Sequence, residues 1–194
     1  MPDDSGRSRS VDIQSEFSPH SIPPAILSGP VTMQAPDPTP EHLWLQQLVG
    51  DWTVQSECRM APDQPLMQFT RRESVRSLGS LWTMAEGFAQ NPDSPADSVM
   101  TLGFDPQREQ FVGTFITSMM TYLWPYHGTL DQSARVLTLE SEGPDATGDG
   151  GMTSYQDIIE VVSENERTLT SLILGKDGSW STFMTARYQR VPSL

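Results

Sequence analysis

The sequence predicts an all-β protein, an antiparallel up-and-down barrel of about ten strands with one short N-terminal helix. From Trp52 onward, apolar and polar residues alternate with a period of two, which is typical of strands that bury one face. Turn-forming residues recur at short intervals along the same stretch. The 14 glycines and 16 prolines argue against an all-helical bundle. No second helical pattern of useful length is present, which excludes alternating βαβ designs.

The N-terminal segment differs from the rest of the chain. Residues 1–39 are rich in proline and serine and contain one aromatic residue, Phe17. Such a composition cannot bury enough apolar surface to offset the entropy of ordering. We therefore expect a disordered tail over residues 1–39 and a barrel domain over residues 40–194. Short apolar patches within residues 22–33 are candidates for docking on the domain or on a partner.

A helix is expected over residues 40–48. Thr39 is a suitable N-cap, Pro40 suits the first helical position, and Glu41 lies near the positive end of the helix dipole. Gly50 ends the helical stretch. The apolar residues between them are Leu43, Trp44, Leu45 and Leu48. A helix this short is not stable alone, so it must pack on the barrel.

Ten strands are expected after the helix. Their ranges are 52–60, 66–77, 80–89, 97–104, 110–118, 121–129, 135–142, 152–162, 166–174 and 179–190. The intervals between them hold turn formers, and two intervals, 105–108 and 175–178, resemble hairpin turns. Consecutive antiparallel strands leave two open edges, and closing the sheet into a barrel removes both. A barrel of this size is wide enough to leave an internal cavity, whereas a two-sheet sandwich is the alternative.

The charge of the chain excludes some classes of partner. It carries 25 acidic and 12 basic residues, a net charge of −13, so we expect no nucleic-acid and no membrane partner. No apolar run approaches the roughly 20 residues of a membrane helix. Cys58 is the only cysteine, which leaves no intrachain disulfide and no cysteine-based zinc site. The N-terminus lacks the apolar core of a signal peptide, and the expected compartment is the cytoplasm.

An ordered series of short motifs runs through residues 41–190. The series is Leu48-Val-Gly-Asp-Trp52, Met100-Thr-Leu-Gly-Phe-Asp105, Gly113-Thr-Phe-Ile-Thr-Ser-Met119, Gly128-Thr-Leu-Asp131, Leu137-Thr-Leu139 and Thr185-Ala-Arg-Tyr188. In this series the chain resembles the family called domain of unknown function 1579, a set of calycin-like barrels. The resemblance implies an up-and-down barrel similar to fatty-acid-binding proteins and lipocalins, and it implies no established activity.

The resemblance also draws attention to the first and last strands. In calycins, a tryptophan of the first strand typically packs near a basic residue of the last strand. Trp52 matches the tryptophan, and Arg187 and Arg190 are both candidates for the basic residue. The functional interpretation is an anchor for the carboxylate of a ligand. The structural interpretation is a cation–π brace that closes the barrel floor.

A first group of candidate site residues lies in the early strands. If Glu86 faces inward together with Trp82, it is a buried carboxylate among apolar neighbours and needs a partner. Arg72 on the preceding strand is the candidate partner. Such a pair either binds the polar head of a ligand or is a structural ion pair.

A second group lies around Pro125, which cannot donate to a sheet ladder and predicts a bulge or kink there. The rings of Trp124 and Tyr126 either line a pocket entrance or simply pack. His127 is a candidate metal ligand, haem ligand or base, or else a strand-end histidine whose neighbours satisfy it. Three scattered histidines do not make a metal site, so we expect no metal and no cofactor.

These observations favour a barrel that binds a small, partly apolar molecule in its interior. The candidate ligand-binding residues are Trp82, Glu86, Arg72, Trp124, Tyr126, His127 and Arg187. One alternative is an enzyme that uses Glu86, His127 or Tyr126 as acid or base, although no hydrolase elbow or phosphate-binding loop is present. The other is an interaction or oligomerisation module that pairs through an edge strand or the tail patch. An oligomer is compatible with the sequence but is not predicted.

Overall fold

The computed structural model describes residues 35–59, 64–89, 97–145 and 150–192. Within these residues a short helix, α1 (Pro40–Leu45), continues into a 3-10 turn over Gln46–Leu48 and is followed by ten strands. The strands are β1 (Gly50–Cys58), β2 (Met67–Leu78), β3 (Trp82–Ala89), β4 (Ser98–Asp105), β5 (Gln110–Thr117), β6 (Trp124–Leu130), β7 (Val136–Pro144), β8 (Met152–Ser163), β9 (Glu166–Leu174) and β10 (Trp180–Arg190).

The predicted disordered tail lies almost wholly outside the described residues, because the structure describes the chain only from residue 35. The apolar patches within residues 22–33 lie outside them too. The tail and its boundary at residue 39 stay predictions.

The predicted helix over residues 40–48 is confirmed as α1 and the 3-10 turn. The backbone N–H of Thr39 donates to Nδ1 of His42 at 3.0 Å, so His42 closes the first turn as Glu or Gln does in a capping box. The indole N–H of Trp44 donates to the carbonyl of Ala134 at 2.8 Å. Trp44 and Leu45 are buried against one end of the barrel, and this burial holds a helix too short to be stable alone.

All ten strands form one closed barrel in which each strand pairs with its neighbours in sequence and β1 pairs with β10. Every pair is antiparallel. The up-and-down barrel is therefore confirmed, and the sandwich alternative is excluded. Closure leaves none of these ten strands as an edge strand, so the alternative in which a partner pairs with an edge strand finds no such edge among them.

Alternate side chains point into the barrel. On β1, Trp52 and Val54 are buried. Across the β1–β2 ladder, Glu73 lies opposite Trp52 and Arg71 lies opposite Val54. Directly opposite residues share a face of the sheet, so Arg71 and Glu73 also point inward. The register of each successive strand pair determines in the same way which residues of the next strand face the interior.

Apolar side chains fill the end of the barrel next to α1. This packed floor contains Trp44, Leu45, Leu48, Trp52, Phe111, Leu137 and Leu139. The rings of Trp44 and Phe111 meet edge to face with their centroids 5.7 Å apart. The floor fixes the helix across this end and separates the barrel interior from solvent there.

Arg190, rather than Arg187, is the basic residue of the last strand that packs on Trp52. Its guanidinium lies 4.2 Å from the centroid of the Trp52 ring. It also donates to the carbonyls of Glu164 at 2.7 Å, of Gln47 at 2.8 Å, and of Val49. Arg190 therefore ties the last strand to the turn that enters β1, as expected of a brace.

Replacing Arg190 by alanine is expected to lower the free energy of unfolding by about 2 kcal/mol, because it removes three hydrogen bonds and the contact with Trp52. Arg187→Ala is the matched control, since Arg187 lies on the same strand, faces outward and makes one exposed ion pair with Glu166. That change is expected to alter stability by less than about 1 kcal/mol. Urea unfolding measures both, and equal losses in the two variants would contradict the brace.

Candidate functional site

A cavity of about 940 Å³ lies inside the barrel above the packed floor. Its size is near the upper end of the range of about 300–1,000 Å³ for small-molecule pockets. It reaches from Leu48 at the floor towards the connection between β5 and β6, where Met119 and Met120 are exposed. We call the region formed by Met67, Met119, Met120 and Met184 the methionine end. The walls between are mainly apolar, with residues such as Val75, Met100 and Phe115.

One ion pair crosses the interior. Glu73 on β2 accepts a hydrogen bond from the guanidinium of Arg167 on β9, two strands beyond β1 around the ring. Both side chains are buried, at 9% and 6% exposure. The Arg167 guanidinium also lies 3.8 Å from the centroid of Tyr188 and 4.9 Å from that of Trp52. A buried carboxylate and guanidinium need such close partners, so each is largely committed to the other.

Arg71 lies beside this pair and has weaker contacts. Its Nη1 is 3.4 Å from Oγ of Ser98, and its Nη2 is 3.4 Å from the hydroxyl of Tyr188. The Glu73 carboxylate is 3.9 Å from Nη2. Nε of Arg71 has no hydrogen-bond partner among the described residues, although the side chain is only 12% exposed. Arg71 is thus a buried cation whose donors are mostly free.

Tyr188 supports this part of the wall. Burial, followed by the negative charge of Glu73, raises the pKa of the Tyr188 phenol above its ordinary value. The phenol therefore stays protonated at neutral pH, and its hydroxyl is available as a hydrogen-bond donor or acceptor beside Arg71.

A second polar group of three side chains lies on the wall formed by β6, β8 and β9. The hydroxyl of Tyr126 donates to Oδ2 of Asp157, and the hydroxyl of Ser171 donates to Oδ1. Burial raises the pKa of Asp157, and the two hydrogen bonds oppose the rise only in part. Burial and the neighbouring Asp157 charge hold the pKa of Tyr126 well above its ordinary value. The group can therefore hold or exchange a proton inside the cavity.

Three further polar atoms of the cavity wall lack a hydrogen-bond partner among the residues that the structure describes. These are Nε1 of Trp124, Oγ of Ser141 and Nε of Arg167. Buried polar atoms in proteins are normally hydrogen-bonded. Together with Arg71, they give the apolar cavity a small number of unused hydrogen-bonding positions.

Two of the seven residues proposed from sequence line the cavity, Trp124 and Tyr126. Trp124 lies against Gly143, where a Cβ would come within 2.1 Å of its ring. Pro125 between them faces outward, directly opposite Thr114 in a regular ladder, so the expected bulge is not found there. The pairing of β6 with β7 begins only at His127, so no ladder bond to β7 is lost at Pro125.

Glu86 does not face inward, so the condition for a buried carboxylate on β3 is not met. On β3 the inward residues are Thr83 and Ala85, opposite Leu102 and Met100 of β4, and Glu86 points outward. Its carboxylate is 3.8 Å from Nε of Arg76 in an exposed ion pair, so it does not pair with Arg72.

The other residues of the first group share this outer face. Arg72 lies opposite Phe88 on the outside, and Trp82 lies opposite Gly103, against which its ring packs. None of Trp82, Glu86 and Arg72 therefore lines the cavity.

His127 and Arg187 also lie on the outer face. Nε2 of His127 is 3.3 Å from Oε2 of Glu140, and both side chains are more than half exposed. Arg187 pairs with Glu166 at 2.8 Å and is 60% exposed. His127 is therefore a strand histidine paired with a neighbour, and it does not face the cavity.

Sequence reasoning did not single out the residues that carry the interior charge. They are Arg71, Glu73, Asp157 and Arg167. A signal for them existed in the alternation itself. Arg71 and Glu73 share their side of β2 with Phe69 and Val75, and Asp157 shares its side of β8 with Ile159.

Among the described residues, no group of three or more His, Cys, Asp or Glu side chains is placed to hold a metal ion. The helical part of the same residues includes nothing long and apolar enough to cross a membrane.

Comparison with known proteins gives the family and the fold. No curated protein matches the sequence significantly. Among solved structures, the crystal structure of Rv2717c from M. tuberculosis is similar in fold, with a TM-score of 0.58 and 14% identity over 80% of this chain and 100% of that chain. A redesigned β-barrel, b11L5F_LGL, shows a TM-score of 0.33 and 10% identity over 76% of this chain and 94% of its own.

The model of one family, described as a protein of unknown function (DUF1579), matches residues 37–190, which span the helix and all ten strands. The chain therefore belongs to the DUF1579 family, as its motifs predict.

Proposed function

We propose that this protein binds a small, partly apolar molecule inside its barrel. The observation that carries the proposal is the cavity of about 940 Å³, which combines apolar walls with a few buried polar groups. Small-molecule sites typically have this composition, because apolar contact supplies affinity and a few polar groups fix the orientation. The five sequence-proposed residues on the outer face take no part in this site.

The apolar walls supply the main driving force for binding. Removing about 200 Å² of apolar ligand surface from water is worth about 5 kcal/mol before the entropy of association is subtracted. The methionine end adds flexible thioether side chains, which adapt to irregular apolar shapes. Both features suit a ligand that is held by its shape and apolar area more than by many hydrogen bonds.

A second candidate function is acid–base catalysis in the same cavity, and the contact between Tyr126 and Asp157 favours it. Of the three acid–base candidates named from sequence, Tyr126 alone lies in the cavity. Burial raises the pKa of the Asp157 carboxyl, so that it keeps its proton to a higher pH than an exposed carboxyl, which is the direction that a general acid requires. Binding remains the first proposal, because this group needs no substrate to explain its hydrogen bonds.

A filled cavity should no longer bind an apolar probe. We expect N-phenyl-1-naphthylamine, a neutral fluorescent probe, to bind the unaltered protein and to lose affinity about tenfold, or about 1.4 kcal/mol, in Thr117→Trp. Thr117 lines the cavity at the end of β5, so the indole would occupy part of it. Ile116→Trp is the control, because Ile116 is exposed on the outside of the same strand. Absence of binding to the folded protein, or equal loss in both variants, would contradict the proposal.

The raised pKa of Asp157 should appear in the pH dependence of stability. The folded chain holds this proton to a higher pH than the unfolded chain, in which the pKa of the carboxyl is near 3.8. The associated stability is therefore complete below that value and is lost as pH rises through the raised pKa. The loss is about 1.4 kcal/mol for every tenfold difference in proton affinity between the folded and the unfolded chain.

Asp157→Asn removes this titration. Its stability relative to the unaltered protein should therefore increase from pH 4 towards pH 7, as urea unfolding at each pH measures. Glu160→Gln, an exposed carboxylate on the outside of β8, is the control and should show no such trend. If the free energy of unfolding changed with pH in the same way for Asp157→Asn and the unaltered protein, a raised pKa of Asp157 would be excluded. The case for acid–base chemistry would then be weaker.

A further inference from the structure

The interior of the barrel contains a cation without a close counter-ion. Arg167 and Arg71 both face the single carboxylate of Glu73, and Arg167 has the direct hydrogen bond to it. The nearest approach of Arg71 to the same carboxylate is 3.9 Å. Charge-assisted hydrogen bonds of arginine are typically about 2.7–2.9 Å long. The negative charge of Glu73 therefore mainly balances the positive charge of Arg167. The positive charge of Arg71 is only partly balanced.

The other neighbours of Arg71 are neutral. Ser98 and Tyr188 approach it through hydroxyl groups at 3.4 Å, which is beyond the usual length of a good hydrogen bond. A guanidinium has five N–H donors, and these two long contacts leave most of them unused. Asp157 does not compensate Arg71 directly, because its two oxygens accept from Tyr126 and Ser171.

The barrel wall leaves space for this guanidinium. Gly87 lies opposite Ser98 on β4, and a Cβ at Gly87 would come within 2.5 Å of Oγ of Ser98 and 3.3 Å of Nη1 of Arg71. A larger residue would press both groups towards the middle of the cavity. Glycine therefore lets Arg71 lie against the wall with the cavity in front of it.

A buried guanidinium in an apolar cavity is unfavourable unless an anion or several hydrogen-bond acceptors satisfy it. A carboxylate or another singly charged oxyanion matches its planar donors with short parallel hydrogen bonds. The hydroxyls of Ser98 and Tyr188 can donate to the same anion. Among the described residues, Glu73 is the carboxylate nearest to Arg71, and its direct hydrogen bond goes to Arg167.

We infer that the molecule bound in the barrel carries one anionic group, held by Arg71 with the hydroxyls of Ser98 and Tyr188, and an apolar body that contacts the apolar walls of the cavity. This inference rests on the proposed function and names the chemical class of its ligand. The apolar walls available to this body include Met100 and Phe115, which lie opposite each other on β4 and β5, two residues along each strand from the Ser98–Thr117 pair.

The net charge of the protein cannot produce the same preference. At −13 it repels anions at long range, so a preference for an anionic ligand must come from local contacts inside the barrel. Adjacent arginines on β2 allow this distinction to be tested. Arg71 faces the cavity and Arg72 faces outward, so their glutamine variants have equal net charge.

The experiment measures the affinity of the full chain for two probes of nearly equal shape, 2-naphthylacetate and the neutral 2-naphthylacetamide, by titration calorimetry. The unaltered protein should bind the carboxylate at least about tenfold more tightly than the amide. Arg71→Gln should abolish this preference by weakening carboxylate binding, with the amide little changed. Arg72→Gln should keep the preference. Ser98→Ala, a smaller change that leaves the guanidinium in place, should weaken carboxylate binding a few-fold and amide binding less.

Four outcomes would overturn the inference, the last of them together with the proposed function. Equal binding of carboxylate and amide to the unaltered protein is the first, and equal effects of Arg71→Gln and Arg72→Gln are the second. The third is that neither naphthyl probe binds although N-phenyl-1-naphthylamine does. That result would keep the proposal of a ligand in the barrel and reject the proposal that the ligand is anionic. Failure of all three probes would remove both proposals together. If Arg71→Gln does not fold, Ser98→Ala decides between the outcomes.

Discussion

The pairing of the first strand with the last is the constraint on which the rest of this structure depends. Seven residues of β1, from Trp52 to Cys58, lie opposite β10, from Arg190 to Met184. This ladder closes the sheet and fixes its register, because a shift by one residue would turn every inward side chain outward. Closure also brings β2 and β9 to the same interior, although 94 residues separate Glu73 from Arg167. Without the β1–β10 ladder neither the ion pair nor the cavity would exist.

The two ends of the interior are built differently, and this difference creates the candidate site. Around Trp52 the space is filled by the floor, the helix and the stacked guanidinium groups of Arg167 and Arg190. Around the cavity, the inward positions of β3 include the small residues Thr83 and Ala85, which line the cavity and do not fill it. Tight packing at one end supplies stability, and small side chains beyond it leave room for a ligand.

The alternation of apolar and polar residues was sufficient to predict the strands, as the cap and turn residues were for the helix, since these depend on local patterns. The alternation left a two-sheet sandwich open, and the barrel was favoured because closure removes both free edges. The alternation was insufficient on β3, where the large residues Trp82, Met84 and Phe88 suggest the buried face. A strand that borders a cavity has little core to fill, so its inward positions are Thr83, Ala85 and Gly87 and its bulky residues cover the outside. The pairing of Glu73 with Arg167 could not be predicted either, because it depends on a register that forms only when the barrel closes.

The central claim is that a ligand enters the barrel and contacts its inner wall. The most direct test is NMR of protein labelled at the methionine methyl groups, with N-phenyl-1-naphthylamine bound. Met100 faces the cavity, whereas Met84 on the neighbouring strand lies on the outer face. Intermolecular nuclear Overhauser effects to Met100 and none to Met84 are expected. Contacts to Met84 alone, or none to Met100 in the bound state, would show that the probe occupies the outer surface and would contradict binding in the interior.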